Sequence, residues 1–379
     1  TIHGDESRTR GAVGQNGSVI DLQEMLADLE LLVNTESTSL HLDLLDVSAA
    51  TVATVMERRL GSAPQIIPSP AGPHVLWSGG GTPRVLLVGH HDTVFPVGSV
   101  AARPFRVADG RATGPGVFDM KAGIVQAVHA VASLDDRSGV EILITADEEV
   151  GSECSRELIE RRARACGHVL VFEASADGGH LKVARKGTGT FEVVVHGKAA
   201  HAGLEPWNGV NSLVAAAELI TAISGFGDPT TGTTVTPTVA HAGTADNVVP
   251  AETRVKVDVR VEQAGEDQRL VDAFAGLHTS VAGARVEVLG GLNRPPMPVG
   301  SAGQLFDLAL KAADEVGIDG LEGVAVGGGS DGNFTAAAGV PTLDGMGAVG
   351  GGAHADHEFV LVDTLVPRAQ LTAAVLRRI

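Results

Sequence analysis

The sequence predicts an α/β protein with a mixed, largely parallel sheet flanked by helices, interrupted by a smaller inserted unit. Three observations carry this. Short apolar runs alternate with stretches of helical apolar spacing, the signature of strands joined by crossover helices. Several of those runs stop at His, Asp or Glu. After Lys186-Gly187-Thr188-Gly189 the pattern changes to the order βαββαβ.

Taken in chain order, a polar opening runs to about Ser18. Leu22, Met25, Leu26, Leu29 and Leu32 then recur at helical spacing and predict a helix over 22–34. A second helix follows over 49–60. Buried strands are expected at 75–77, 85–88, 141–145 and 169–172, with helices at 122–134 and 156–165 between them. The next hundred residues read strand 190–196, helix 209–224, strands 233–240 and 253–261, helix 267–281 and strand 285–289. That order is a ferredoxin-like unit. Asn293-Arg294-Pro295-Pro296 reads as a linker. Helix 302–316, a strand near 340–343 and helix 365–378 complete the chain. The expected division is a first catalytic part at 1–186, an inserted domain at 187–293 and a second catalytic part at 294–379.

Size supports two domains, because 379 residues exceed what one core usually serves. Aromatics are only 3% and Tyr is absent, so Val, Leu, Ile and Ala must build the cores. A formal charge of -18 argues against nucleic acid and anionic membranes, which select Lys and Arg. No apolar run approaches the ~18 residues of a membrane span. Thr1 to Gly17 has no apolar signal-peptide core, so a cytoplasmic location is expected; a processed chain would look the same. Cys154 and Cys166 are too few for a disulfide framework and read as buried or half-buried thiols.

Five strings carry the chemistry. In Gly89-His90-His91-Asp92, alternation along a strand puts His90 and Asp92 on one face and His91 on the other. A carboxylate beside a ligating imidazole can fix its orientation. Gly114-Pro115-Gly116-Val117-Phe118-Asp119 delivers Asp119 just before a helix, where an ordinary N-cap is the competing reading. Asp147-Glu148-Glu149 follows a buried strand, and three consecutive carboxylates call for a compensating positive charge. Adjacent glutamates can divide the roles of ligand and general base, and the sequence does not say which does which. Glu173 ends another buried run. His354 sits in a Gly-rich loop. Two His, two Glu and one shared Asp would give each of two Zn²⁺ ions three protein ligands, with a bridging water completing an open, near-tetrahedral shell. The mixture of imidazole and carboxylate also admits Co²⁺ or Mn²⁺.

The chain resembles the metallopeptidase family of glutamate carboxypeptidase, the aminoacylases, acetylornithine deacetylase and succinyl-diaminopimelate desuccinylase. The strings that carry the resemblance are GHHDTV, GPGVFDMKAG, TADEEVGS, FEAS, HGKAAHAG, DNVVP with VDVRV, GGGSD and GAHADHE, from about residue 85 to 360. The resemblance, closest to the glutamate carboxypeptidase branch, implies a di-zinc aminopeptidase-like catalytic domain. It implies that His90 and Glu173 hold one zinc, Glu149 and His354 the other, and Asp119 both. It assigns Asp92 to orient His90 and Glu148 to act as general base. It implies a cis peptide after Asp119. His201 would reach the partner subunit's site in a homodimer built through the inserted domain and stabilise the oxyanion. Asn247 and Arg260 would bind substrate, with Arg260 suited to a free carboxylate. Gly329 and Ser330 would shape the pocket.

The function these readings imply is hydrolysis of an amide whose amine side carries a free carboxylate, in a peptide or an N-acyl amino acid. A biosynthetic deacetylase or desuccinylase shares that chemistry. A non-catalytic peptide-binding descendant is the alternative of another class, and an intact Glu148 and ligand set weigh against it. The basic stretch 180–186 suits either an acidic substrate or a solvated hinge. His91 and His357 sit inside the strings at positions where the family pattern varies and where they could tune specificity; His91 is expected in a supporting or surface role. His41, His74, His129, His168, His196, His241 and His278 have no evident convergent partners in sequence.

Overall fold

The computed structural model describes residues 19–263 and 265–379. The polar opening segment to Ser18, with the signal-peptide reading made on it, lies outside the described residues.

Six strands form the central sheet, in the order Gln65–Ile67, His74–Ser78, Val140–Thr145, Val85–His90, Val169–Val171, Thr342–Leu343. The last four run parallel; the first two are antiparallel additions at one edge. The strands that neighbour Val85–His90 are buried on both faces, which explains continuous apolar runs in place of alternation. Leu87, Ile142, Ile144 and Leu170 pack with helices Leu22–Val33, Leu42–Leu60, Ala122–Ala132 and Leu365–Leu376. Leu86, Val88, Leu143 and Val171 face the other way, onto helix Arg156–Cys166.

Because the strands are parallel and in register, their carboxyl ends share one edge. His90 pairs with Thr145, and Val88 with Val171. Each of these three strands is therefore followed, at the same edge, by a candidate ligand or base. This is the edge at which parallel sheets bind their ligands.

A second sheet has the order Thr234–Ala242, Glu252–Val261, Gly187–His196, Arg285–Arg294, all antiparallel. Helices Ser212–Ile223 and Glu266–Ala275 cover one face around Phe191, Val257 and Leu219. The element order is the βαββαβ order expected from sequence. Asn211 sets the start of its first helix by accepting from Leu213 N and Val214 N, later than the expected residue 209. The second helix stops at Ala275, short of the expected 281, because Glu218 draws Thr279 and Ser280 into a separate turn. Asn293 and Arg294, expected in a linker, are the last residues of a strand.

A third sheet was not expected. It joins Gly350–Gly351, Phe359–Leu361, Arg111–Thr113 and Arg106–Ala108. Thr113 pairs with Phe359, so the loop that carries Asp119 starts beside the hairpin that carries His354. The Asp119–Met120 peptide is cis.

Candidate active site

Asp119 stands at the centre of the cluster. Its Oδ1 lies 3.3 Å from His90 Nε2 and its Oδ2 lies 3.2 Å from His354 Nε2. His90 Nε2 is also 3.5 Å from Glu173 Oε1, and His354 Nε2 is 3.2 Å from Glu149 Oε2. The five expected ligands therefore converge from five separate segments. Asp119 caps no helix: Lys121 occupies the N-cap of the helix that follows and makes no side-chain cap. His354 reaches inward from a left-handed backbone position, φ 63°, in its Gly-rich hairpin.

The surroundings fix these groups. His90 Nδ1 lies 3.0 Å from the carbonyl oxygen of Asp92 and 3.4 Å from its carboxylate. The Asp92 carboxylate accepts from Ser39 Oγ and from the backbone N–H groups of Glu148 and Glu149. One buried acid thus holds both a ligating imidazole and the turn that carries two further acids. His91 points away, as alternation requires. It is buried, with Nδ1 3.0 Å from Ser48 Oγ and Nε2 3.0 Å from the Pro73 carbonyl, so it has no surface role.

The charges are strongly coupled. Burial opposes protonation of His90, yet Asp119, Asp92 and Glu173 together hold its pKa well above the usual histidine value. Asp119 and Glu149 raise His354 to about 10. Burial pushes Glu149 up, and pushes Glu148 well above the carboxylate range even with Arg294 opposing it. The same groups form a donor set suited to divalent ions, whose binding displaces protons from such ligands. The donors fit that use. His90, Asp119 and Glu149 offer ligand atoms within 4.8 Å of one another, as do His90, Glu148 and Glu173. Glu149 Oε1 is buried without a hydrogen-bond donor among the described residues, the sort of orphan a cation satisfies.

Several expectations need correction. Asp147 turns Oδ2 away from the cluster, where it accepts from Cys154 N and Ser155 N. The compensating charge for Glu148 comes from Arg294, which sequence reading missed. Arg294 Nη2 donates to Glu148 Oε1 (2.7 Å), Glu148 O (3.1 Å) and Ser152 Oγ (3.0 Å), and lies 3.3 Å from Asp331 Oδ1. Ser330 is fully buried and donates to Asp344 Oδ2 at 2.6 Å. Gly329 gives passage to Arg294, whose Cδ would lie 2.9 Å from an added Cβ. His129, read as partnerless, lies 2.7 Å from buried Asp28, and His196 lies 2.8 Å from Glu287. Cys154 is exposed, whereas Cys166 is buried and its thiol is pushed up to about 12, mainly by burial.

The inserted unit brings His201 and Asn247 together: Ala202 N donates to the Asn247 carbonyl, and His201 bridges to Val248. Within the chain His201 Nδ1 accepts from Gly203 N and Leu204 N, on an exposed loop. Arg260 is paired with Asp258 at 2.9 and 3.0 Å. It lines a cleft of about 540 Å³ together with Val150, Gly151, Asn293 and Arg294, so this cleft opens beside the Glu148–Glu149 turn.

Two imidazoles and three carboxylates at the edge of a parallel sheet, with a further half-buried glutamate beside them, define a metallohydrolase site. Residues 86–378 match peptidase family M20/M25/M40, and the chain belongs to that family. It is 32% identical over 307 residues to carboxypeptidase G2 of Pseudomonas sp. (strain RS-16), spanning 78% of this chain and 74% of that protein. It is 28% identical over 326 residues to succinyl-diaminopimelate desuccinylase of Caulobacter vibrioides, spanning 78% and 81%. Among solved structures it is similar to an M20 metallo-carboxypeptidase of Sulfolobus solfataricus, with TM-score 0.74, 16% identity and coverage of 93% and 98%. It is also similar to a dinuclear metal-binding peptidase of Bacillus subtilis, with TM-score 0.66, 17% identity and coverage of 94% and 98%. The chain is thus a metallopeptidase or amidohydrolase with a catalytic α/β domain and an inserted domain.

Proposed function

We propose that the chain is a di-zinc hydrolase that cleaves an amide bond whose amine side bears a free carboxylate, in small peptides or N-acyl amino acids. The observation that carries this is the split of Asp119, whose two oxygens face two different imidazoles. In this reading His90 and Glu173 hold one ion, Glu149 and His354 the other, and Asp119 both; Co²⁺ or Mn²⁺ are possible substitutes. When bound, the ions would polarise the scissile carbonyl and make an attacking water acidic.

The chain's own residues do the rest. Glu148 accepts the proton of the attacking water and delivers it to the leaving amine; its half-buried carboxyl stands beside the ligand cluster, within 4.8 Å of ligand atoms of His90 and Glu173. Asp92 keeps His90 and the Glu148–Glu149 turn in place. Arg260, on the wall of the adjoining cleft, receives the substrate carboxylate, and Asn247 contributes a polar contact. His201 donates to the developing oxyanion from the partner subunit of a homodimer, joined through an insert spanning 187–293. A cytoplasmic location accompanies this reading. Among the described residues no helix is long and apolar enough to cross a membrane.

A biosynthetic desuccinylase has the same site chemistry, and the Caulobacter relative supports keeping it as the second reading. A hydrolysis panel of N-acyl amino acids, dipeptides and acyl-glutamates with Zn²⁺ or Co²⁺ separates the two. Metal analysis should give about two equivalents per chain. Glu148→Gln should keep both and lose ~10²–10⁴-fold in turnover. Near-normal turnover in that variant, or activity without metal, would overturn the mechanism.

A further inference from the structure

Glu358 lies in the same string as His354 but belongs to none of the ligand sets above. It is 1% exposed. Its Oε2 accepts from Gly116 N at 2.9 Å, and its Oε1 accepts from Phe118 N at 2.8 Å and Asp119 N at 2.7 Å. Three backbone donors of one loop converge on this carboxylate, which offers two acceptor oxygens where a Gln offers one. Gly116 permits the wrap: it has φ +73°, and a Cβ there would sit 2.6 Å from Thr93 Cγ2.

The other end of Glu358 is tied to His354. Glu358 N donates to Ala355 O and closes the turn that follows His354. Its neighbour Phe359 pairs with Thr113, at the foot of the Asp119 loop. One residue therefore spans the loop of the shared acid and the hairpin of the half-exposed imidazole. His90 and Glu173 stand apart from this arrangement, on strand ends of the central sheet.

We infer that Glu358 is a positioning residue that sets the Asp119–His354 separation and thereby builds the second metal position, the one formed by Glu149, His354 and Asp119. This rests on the two-metal reading above. Loss of Glu358 should weaken the second ion much more than the first: the first shares Asp119 but keeps His90 and Glu173 on supports of their own, whereas the second loses the placement of both Asp119 and His354. Partners of this kind typically change metal affinity 10- to 100-fold.

The test is titration of the metal-free protein with Co²⁺, followed by calorimetry and by visible absorption. Wild type should take two ions. Glu358→Gln should bind the first within about threefold of wild type and the second about 10- to 100-fold more weakly. If Glu358→Gln does not fold, Glu358→Asp is titrated in its place; it keeps the charge, withdraws it by one methylene, and should show the same selective weakening to a lesser degree. Unchanged second-ion affinity, or an equal fall for both ions, would overturn the role of Glu358. A wild-type protein that binds fewer than two ions would instead overturn the two-metal reading itself.

Discussion

Replacing Arg294 with Met tests how the base is held. Arg294 is 6% exposed and supplies the guanidinium that Glu148 and Asp331 share. Burial raises the pKa of both acids, and in both Arg294 is the first group opposing it. Without it each rises further. Glu148 works as a base only when deprotonated, so the acid limb of kcat/KM should move to higher pH. A hydrogen bond to a charged group contributes about 1.5–3 kcal/mol. At 1.36 kcal/mol per pKa unit that is a shift of roughly one to two units. On the acid limb this is about a 10- to 150-fold loss, narrowing as pH rises above the shifted pKa. Arg294→Lys restores the charge but not the planar head that donates from Nη2 to Glu148 and Ser152 while Nη1 donates to Asn293 Oδ1, so it should recover only part. The assay is a pH–rate profile on the best substrate of the panel, with metal content verified in each variant. An unmoved acid limb with kcat within about threefold of wild type would refute the reasoning. A rise in KM alone would assign Arg294 to substrate binding.

Two further outcomes follow from other parts of the molecule. Asp28 is fully buried among Arg58, Arg59 and His129; burial raises its pKa, but the bonds from His129 and Arg59 outweigh this and hold it below the usual value. A depressed acid contributes stability above its unfolded pKa and loses it as pH falls through the folded one. Asp28→Asn should therefore cost about 3–5 kcal/mol at pH 7 in urea unfolding and less in acid, with activity per folded molecule retained; an equal cost at pH 7 and pH 3 would contradict this. If His201 serves the partner subunit, mixing His201→Ala with Glu148→Gln chains should restore part of the activity that each lacks. Verified mixed dimers with no restored activity would remove His201 from the mechanism.

The parts legible in sequence are those whose cause is local. Val85–His90, Val140–Thr145 and Val169–Val171 are apolar because both faces are buried, and each run stops where a polar ligand or turn begins. The inserted unit declares itself through strand alternation such as Val255, Val257, Val259 and Val261. Arg111–Thr113, Gly350–Gly351 and Phe359–Leu361 have two or three residues each, too few to show a period, and their pairing joins distant segments. No local pattern encodes such a sheet.

The same distinction divides the site. His90, Asp119, Glu149, Glu173 and His354 were legible because metal-capable groups at strand ends and glycine turns are uncommon without a use. Asp147, the first of the three consecutive carboxylates, instead accepts from two backbone N–H groups at Cys154 and Ser155 that spacing alone does not reveal. Arg294 was hidden by its neighbours: Pro295-Pro296 reads as a linker, and a lone arginine before it has no local signature. One signal was available. A half-buried acid such as Glu148 needs a counter-charge even when metals serve its neighbours, and Arg294 stands at an expected domain junction. Glu358 carried a weaker signal of the same sort, an acid inside a ligand string at a position that alternation leaves unused. In both cases the residue acts by joining two segments, so its meaning is set by the pairing of those segments and becomes readable only once the fold supplies it.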